Sequence, residues 1–561
     1  MDFTTRFGTD YKTRTEEYFR PSFIGSYQDP TPVETVGRYE TLKLINYLNE
    51  NTLTFDRTIN DNHNINILVG FTFQKERNEI SDLTGLNFPN DNVQTLNAAQ
   101  TIQNGVTRVE EWSLLSYLSR VQYDYKDKYL ISASIRRDGS SRFGKNTKWG
   151  YFPSVSAGWR IGQEAFMSSL NFVSALKIRG SYGLTGNFNI PNYGAVPLLD
   201  QDNYSFNGGL DIGLLPATAP NESLGWEQSE MLDFGIDIGL FQNKISFTAD
   251  YYKTETDGLL LDVPVPTISG YNDSLQNLGR IQNTGWDFEL RTNLNIGKIS
   301  WSTGTTLSFY ENKVLELGPG QEQIITARHI TRVGEPIGQF YGYNILGVFT
   351  SEEQLESLPT FSTAKLGTYI YEDANGDGIM NTDDFTVIGD PFPDYVLGFT
   401  SQIAFKGWDM SVVVESKQGM DIWERLRGFY MDQTGFSNKP RAFINNVYKI
   451  DGSIQNPEYQ RYDVGSGRDT EFFDSSLMVQ DASFIRIRNI TVGYNFSKEL
   501  MSKIGLSGFR IYCSAQNPFI FTNYTGYNPE SSNARSPLDA GVDYGNYPTS
   551  KSLVVGINAN F

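Results

Sequence analysis

Apolar and polar side chains alternate with a period of two along much of this chain, and this pattern constrains the fold more than any other feature. From Leu232 to Leu240 every second residue is apolar, and the residues between them are Asp or Gly. Successive side chains of a strand point to opposite faces, so such a segment has one apolar and one polar face. The polar faces carry charges on strand after strand, and the strands come in pairs joined by tight turns. The sequence therefore predicts an all-β fold, a transmembrane antiparallel β-barrel with lipid outside and water inside.

About sixteen strand-like segments are predicted. They lie at 1–11, 39–58, 63–80, 109–126, 128–142, 149–161, 175–188, 224–241, 244–262, 278–297, 299–317, 394–406, 407–420, 480–497, 508–521 and 549–561. Short turns alternate with long connections, as in outer-membrane barrels with short periplasmic turns and long external loops. We therefore expect extracellular loops at 190–223, 263–277, 318–393, 421–479 and 522–548. The apolar phase switches between Ile487 and Ile490, which predicts a bulge near Arg488.

Composition argues against several classes of function. The 561 residues carry a net charge of −19, whereas a nucleic-acid partner requires a basic surface. The two histidines, His63 and His329, lie far apart in the sequence and form no metal or triad pattern. No phosphate-binding loop or nucleophile motif is present either. We expect a protein that is not an enzyme and has no nucleic-acid partner.

Several segments resemble the SusC/RagA family of TonB-linked outer-membrane transporters from Bacteroidota. They are YLISASIRRDGSSRFG (129–144), WGYFPS (149–154), LKIRGSYG (176–183) with TGN (185–187), NTGW (283–286) and FIRIRNITVGY (484–494). These segments follow one another in order over nearly the whole chain. The resemblance implies an outer-membrane nutrient importer that takes up a glycan or a peptide with a SusD-like surface lipoprotein.

The resemblance also implies a domain assignment. Members of the family are similar to other TonB-dependent transporters in having a 22-stranded barrel with a plugged lumen. Residues 1–561 resemble the C-terminal portion of that barrel, about 16 of the 22 strands. We expect neither the plug, through which the TonB complex acts, nor a signal peptide within this stretch. A passive porin-like channel and a soluble all-β glycan-binding protein remain alternatives.

One loop has the spacing of a calcium site. Asp373, Asn375 and Asp377 occupy positions 1, 3 and 5 of a D-x-N-x-D-G pattern, in which glycine at position 6 makes the sharp turn. Ile379 would contribute its backbone carbonyl at position 7, and Asp384 falls at position 12. The sequence predicts a structural Ca²⁺ here, with an ion-free Asx- and Gly-rich loop as the alternative.

Aromatic residues in the long loops form a second candidate site. Aromatic faces stack on sugar rings, but they also pack loops together and anchor protein interfaces. Both interpretations are open for Phe340, Tyr341, Tyr343, Trp423, Phe429 and Tyr430.

Overall fold

Sixteen antiparallel strands form one large sheet whose hydrogen-bonded order follows the chain. The computed structural model describes residues 1–25, 31–206, 208–264, 267–271, 273–318, 320–431, 438–462, 471–532 and 536–561, so parts of all five predicted long loops lie outside the described residues. The strands are β1 (Asp2–Arg20), β2 (Val36–Ile59), β3 (His63–Leu86), β4 (Thr101–Tyr125), β5 (Tyr129–Ser140), β6 (Trp149–Trp159), β7 (Val173–Asn187), β8 (Glu227–Leu240), β9 (Ile245–Asp257), β10 (Arg280–Ile296), β11 (Ile299–Glu316), β12 (Tyr395–Phe405), β13 (Trp408–Gln418), β14 (Phe484–Asn495), β15 (Gly508–Thr522) and β16 (Ser552–Asn560).

The predicted strands are confirmed in number and order. The largest difference is in β1, which was expected to end near residue 11 but continues to Arg20, paired with β2 throughout. The predicted bulge is also confirmed. The register of β14 against β13 shifts between Asn489 and Ile487, which leaves Arg488 as the extra residue. The register against β15 shifts at the same place, where Arg488 lies opposite two residues, Asn517 and Pro518.

The long connections carry their own secondary structure. Short strands pair within them as Leu199–Phe206 with Gly209–Pro216, Leu260–Pro264 with Asp273–Asn277, and Ile345–Val348 with Tyr369–Tyr371. Two further sheets are present in these connections. One contains Gln323–Ile325, His329–Arg332, Gln339–Gly342 and Thr386–Gly389, and the other contains Val479–Asp481, Asp421–Glu424 and Val542–Asp543.

The helices are short. The α-helices are Glu352–Ser357, Arg425–Met431, Arg441–Asn446 and Lys498–Ser502. Single 3₁₀ turns occupy Leu96–Ala98, Ile161–Gln163, Ala165–Met167, Thr267–Ser269, Thr382–Asp384, Glu471–Asp474, Ser476–Met478 and Pro537–Asp539. Among the described residues, no helix is long and apolar enough to span a bilayer.

The chain forms two compact units. The first contains Met1–Trp159, Gly180–Leu232 and Thr256–Leu278, and the second contains Arg160–Arg179, Asp233–Glu255 and Gly279–Phe561. In each unit the buried apolar residues include many loop residues and residues at the loop ends of strands. The first unit buries Phe143, Phe152, Ile190, Ala195, Leu224 and Trp226. The largest cluster of the second unit contains Tyr343, Val348, Tyr369, Tyr371, Met380, Met431, Phe443, Val447, Tyr459 and Phe472.

Aromatic rings bound an apolar band on one face of the first unit. Near the short turn between β4 and β5, Tyr129 stacks on Tyr125 and on Trp159, with ring centroids 6.2 and 6.3 Å apart. At the other end of β6, Trp149 stacks on Tyr117. Ten residue steps separate the two tryptophans, about 34 Å along the strand, which a tilt of ~40° reduces to about 26 Å of depth. This matches the ~25 Å apolar belt of a membrane barrel.

The opposite faces of β8 and β9 should respond differently to an added charge. Ile236→Arg places a guanidinium on the apolar face, where no water solvates it near the bilayer midplane. We expect a loss of about 2–4 kcal/mol in the free energy of unfolding, measured by urea unfolding in lipid vesicles. Thr248→Arg is the matched control, because the Thr248 hydroxyl donates to Asp237 (3.2 Å) on the polar face at the same height. Equal losses for the two variants would contradict the assignment of the faces.

Candidate functional site

A guanidinium surrounded by carboxylates lies on the polar face of β7, β8 and β9 in the second unit. Arg179 Nη2 lies 2.7 Å from Asp250, Nε lies 3.3 Å from Asp237, and Nη1 lies 3.4 Å from Asp233. The Lys177 ammonium adds a second contact to Asp237 at 3.8 Å. Gly235 leaves the space for this arrangement, since a Cβ there would lie 2.2 Å from an Asp250 oxygen. Three carboxylates and two cations therefore form a connected polar wall suited to a water-filled interior.

The polar face of the first unit carries a comparable network. The indole Nε1 of Trp112 donates to Glu76 (3.0 Å), and the Asn46 amide donates to the same carboxylate (2.9 Å). Arg142 lies 4.9 Å above the Trp112 ring, and its Nε donates to Asn192 in the loop that follows β7 (2.9 Å). Burial lowers the pKa of Arg142. This network holds the loop segment that contains Asn192 against the inner side of β3 and β4.

A second loop is fixed to the strands by an ionic cluster in the second unit. Glu530, in the loop between β15 and β16, accepts from Lys417 at 3.0 Å and from Arg488 at 3.1 Å. It also pairs with Arg486, whose side chain is only 4% exposed. Arg488 in turn pairs with Glu415 on β13. Burial opposes ionisation of Glu530, but the three cations outweigh it, so the pKa of this carboxyl is lowered.

The pKa values of two further loop carboxyls are shifted in the opposite direction. Asp390 and Asp421 are joined by two hydrogen bonds. The Asp390 N–H donates to the Asp421 carboxylate (3.0 Å), and the Asp421 N–H donates to the Asp390 carbonyl (2.7 Å). Burial raises the pKa of both groups, and the charge of Asp394 raises each further. Their ionisation therefore costs stability, and this junction between loop strands becomes more stable as the pH falls towards the raised pKa values.

The structure uses most of the predicted loop aromatics for packing. Phe340 and Trp423 are fully buried, with ring centroids 5.8 Å apart, and Tyr343 is 3% exposed. The Tyr430 hydroxyl donates to Glu424 (2.8 Å). Burial and the adjacent Glu424 charge raise the pKa of Tyr430.

The other two predicted aromatics are more accessible. Tyr341 is half-buried and meets Phe385 edge to face at 5.5 Å. Phe429 is 53% exposed, the most exposed of the six, and the Arg425 guanidinium lies 5.4 Å from the centre of its ring.

Three of the predicted calcium ligands accept hydrogen bonds from the backbone of their own loop. Asp373 accepts from the backbone of Gly376 (2.8 Å) and of Gly378 (3.0 Å), and Asp377 accepts from the Ile379 N–H (2.7 Å). Asn375 accepts from the Asp377 N–H (2.8 Å). Within the residues that the structure describes, no three His, Cys, Asp or Glu side chains are grouped to hold a metal ion.

The last predicted ligand has a different environment. Asp384 is fully buried, and its Oδ2 accepts from the Asn381 N–H (2.9 Å). Its Oδ1 has no hydrogen-bond partner among the described residues. Calcium therefore stays a prediction for this loop.

The buried histidine has a packing role. His329 lies against Phe340, and its Nε2 lies 2.8 Å from the Ala540 carbonyl. Burial lowers the pKa of His329, which favours the neutral imidazole. His63 lies in the first unit, where its Nδ1 is 2.8 Å from the Tyr123 hydroxyl.

These features define a class of protein: a membrane β-barrel with a polar inner wall and structured loops. The family model for the TonB dependent receptor-like β-barrel matches residues 1–517. A TonB-dependent receptor of Formosa agariphila is 32% identical over 609 aligned residues, covering 100% of this chain and 57% of that protein. The receptor SusC of Bacteroides thetaiotaomicron is 28% identical, over 80% of this chain and 44% of its own length.

Solved structures agree with the sequence relatives. The chain superimposes on a chain of the RagAB peptide transporter with a TM-score of 0.85 and 26% identity, covering 100% of this chain and 60% of that one. The chain belongs to the TonB-dependent receptor family of SusC/RagA type and is an outer-membrane β-barrel protein. It spans little more than half the length of the curated relatives it matches. An outer-membrane location contradicts the alternative of a soluble glycan-binding protein.

The Glu530 cluster should control attachment of the 522–548 loop. Glu530→Gln leaves buried Arg486 without its anion, which we expect to cost about 3 kcal/mol of local stability. Hydrogen exchange of the loop amides measures this loss. Glu499→Gln, at an exposed position, is the control. Because the folded-state pKa of Glu530 is lowered, the stabilisation should persist above the ordinary value of about 4.3 and be lost as the pH falls through the folded pKa. An unchanged exchange rate in Glu530→Gln would contradict the assignment.

Calcium should protect the 373–384 loop from proteolysis if the predicted ligands close around an ion. The physical reason is that a divalent cation offsets the mutual repulsion of Asp373, Asp377 and Asp384. Asp377→Ala should abolish the protection. Asp383→Ala, which removes an exposed carboxylate outside the predicted ligand set, should retain it. Identical cleavage with calcium and with a chelator would show that the loop does not bind this ion.

Proposed function

We propose that residues 1–561 form the wall and external loops of a TonB-dependent nutrient importer of the SusC type. The polar wall around Arg179 carries this proposal, because a connected set of charges on one face requires a water-filled interior. Family membership supports the same interpretation. The contacts of Glu530 and Asn192 support the proposal further, because they hold the loops against the strands, as expected at the mouth of a regulated importer.

The proposed partners are a SusD-like surface lipoprotein and the TonB complex. The lipoprotein would cover the loops on the side opposite the short turns. TonB would act through a plug domain outside residues 1–561. Support comes from the relatives, since one of them is SusC and another similar structure is the RagAB peptide transporter.

For the substrate, the side chains favour a peptide over a glycan. Three of the six loop aromatics that could stack on a sugar ring are buried. The polar wall instead offers carboxylates and guanidinium groups, which suit the amide groups and charges of a peptide. A glycan substrate remains the second candidate within the same transport function.

Uptake experiments separate these functions. A strain lacking this gene should lose growth on oligopeptides as the nitrogen source and keep growth on free amino acids. Inactivating TonB should produce the same loss, because a plugged importer needs energy from the inner membrane. Uptake that is independent of TonB would instead indicate a passive porin-like channel. Loss of growth on oligosaccharides alone would identify a glycan importer.

A further inference from the structure

Two consecutive arginines on β5 have opposite environments. Arg136 faces the polar side, where its Nε contacts both oxygens of Asp138 (2.7 and 2.8 Å) and its Nη2 donates to Ser116 (3.0 Å). Arg137 faces the other side, with its guanidinium carbon 4.2 Å from the centre of the Trp149 ring and 5.4 Å from that of Tyr151. Its Nε is buried without a hydrogen-bond partner, and no carboxylate pairs with it among the described residues.

The face that carries Arg137 is the lipid face of the first unit. Below Arg137 on the same side of β5 lie Ile135 and Ile131, 50% and 51% exposed, with Ala133 between them. The column ends at Tyr129 in the ring stack beside the short turn. Apolar side chains that are half exposed on one face of a membrane strand contact lipid. Arg137 therefore lies at the end of this column that is farther from the short turn.

An unpaired arginine on a lipid face is costly at the bilayer midplane and nearly free at the interface. Trp149 and Tyr151 mark that interface, since amphipathic rings concentrate at headgroup level. The contacts with the two rings leave the terminal Nη donors of the guanidinium without a hydrogen-bond partner among the described residues. A guanidinium in this position matches one membrane component in charge and geometry, the phosphate group, which it binds through two parallel hydrogen bonds.

We propose that Arg137, Trp149 and Tyr151 form a binding site for the phosphate of a lipid headgroup in the outer leaflet. The rings hold the guanidinium in place and contact the adjoining apolar part of the lipid, while the guanidinium binds the phosphate oxygens. This site lies on the outer surface of the sheet and is separate from the transport pathway.

Further cations lie on the same face, beyond the ring level. Arg137 lies directly opposite Tyr117 of β4, which in turn lies directly opposite Phe71 of β3. Four residues further along β3 is Lys75, followed on the same face by Arg77. Within the described part of the chain, Lys43, Lys75 and Arg77 pair with two carboxylates, those of Glu79 and Glu111. This patch carries a net charge of +1 in a chain of net charge −19. It would attract further phosphates of a large headgroup.

Native mass spectrometry of the protein purified from its own outer membrane tests the proposal. The probes are lipid A that carries phosphate and the same lipid A after enzymatic dephosphorylation. We expect the wild type to retain the phosphorylated form about tenfold more, the ratio that one charge-assisted hydrogen bond commonly supplies. Arg137→Gln should bring the ratio close to one. Arg137→Lys, with a point charge and no planar fork, should keep part of it.

Arg136→Gln is the matched control, because it removes the same charge one residue away on the opposite face. It should leave the lipid ratio unchanged, and heat-modifiable gel mobility verifies that each variant is folded. Equal retention of the two lipids by the wild type, or an unchanged ratio in Arg137→Gln, would overturn the proposal. If millimolar inorganic phosphate removes the bound lipid A as fully as Arg137→Gln does, the site binds free phosphate and not a headgroup.

Discussion

Backbone hydrogen bonding is the constraint on which the rest of this structure depends. In hydrocarbon no water satisfies an exposed N–H or C=O group, so each strand must pair with a neighbour along its whole buried length. The sheet meets this requirement for β2 to β15 by placing consecutive strands side by side, so that β1 to β16 follow the chain order. The two-residue alternation then follows. Because both edges of a strand are occupied by its neighbours, only the side chains on its two faces can differ in polarity.

The same geometry determines where charge is placed. On the inner face a charge can be surrounded by others, as Arg179 is by Asp233, Asp237 and Asp250. On the outer face a charge must lie at a depth where water or a headgroup is available, as Arg137 does beside Trp149. One period-two pattern thus gives two kinds of charged site, and neighbouring residues of identical chemistry differ in role because of the face on which they lie.

The alternation predicted the strands well where they contact lipid and less well elsewhere. The prediction for β1 stopped near residue 11 because polar residues follow on both faces, yet the backbone ladder continues to Arg20. The phase switch near Arg488 revealed the bulge, since one inserted residue must exchange the faces. Burial of Phe340 and Trp423 could not be predicted, because it depends on loops that are distant in sequence. The same applies to Glu530, although the cations Arg486 and Arg488 on one strand indicated the need for an anion.

The length of the β2–β3 hairpin determines how far this protein extends beyond the membrane. Each strand has 24 residues, whereas about 11 are enough to cross a bilayer. At ~3.4 Å per residue and a tilt of ~40°, the remaining 13 residues rise about 34 Å beyond the hydrocarbon. On the side away from the short turns the protein therefore extends beyond the membrane as a hydrogen-bonded wall, and solutes on that side must pass over this wall.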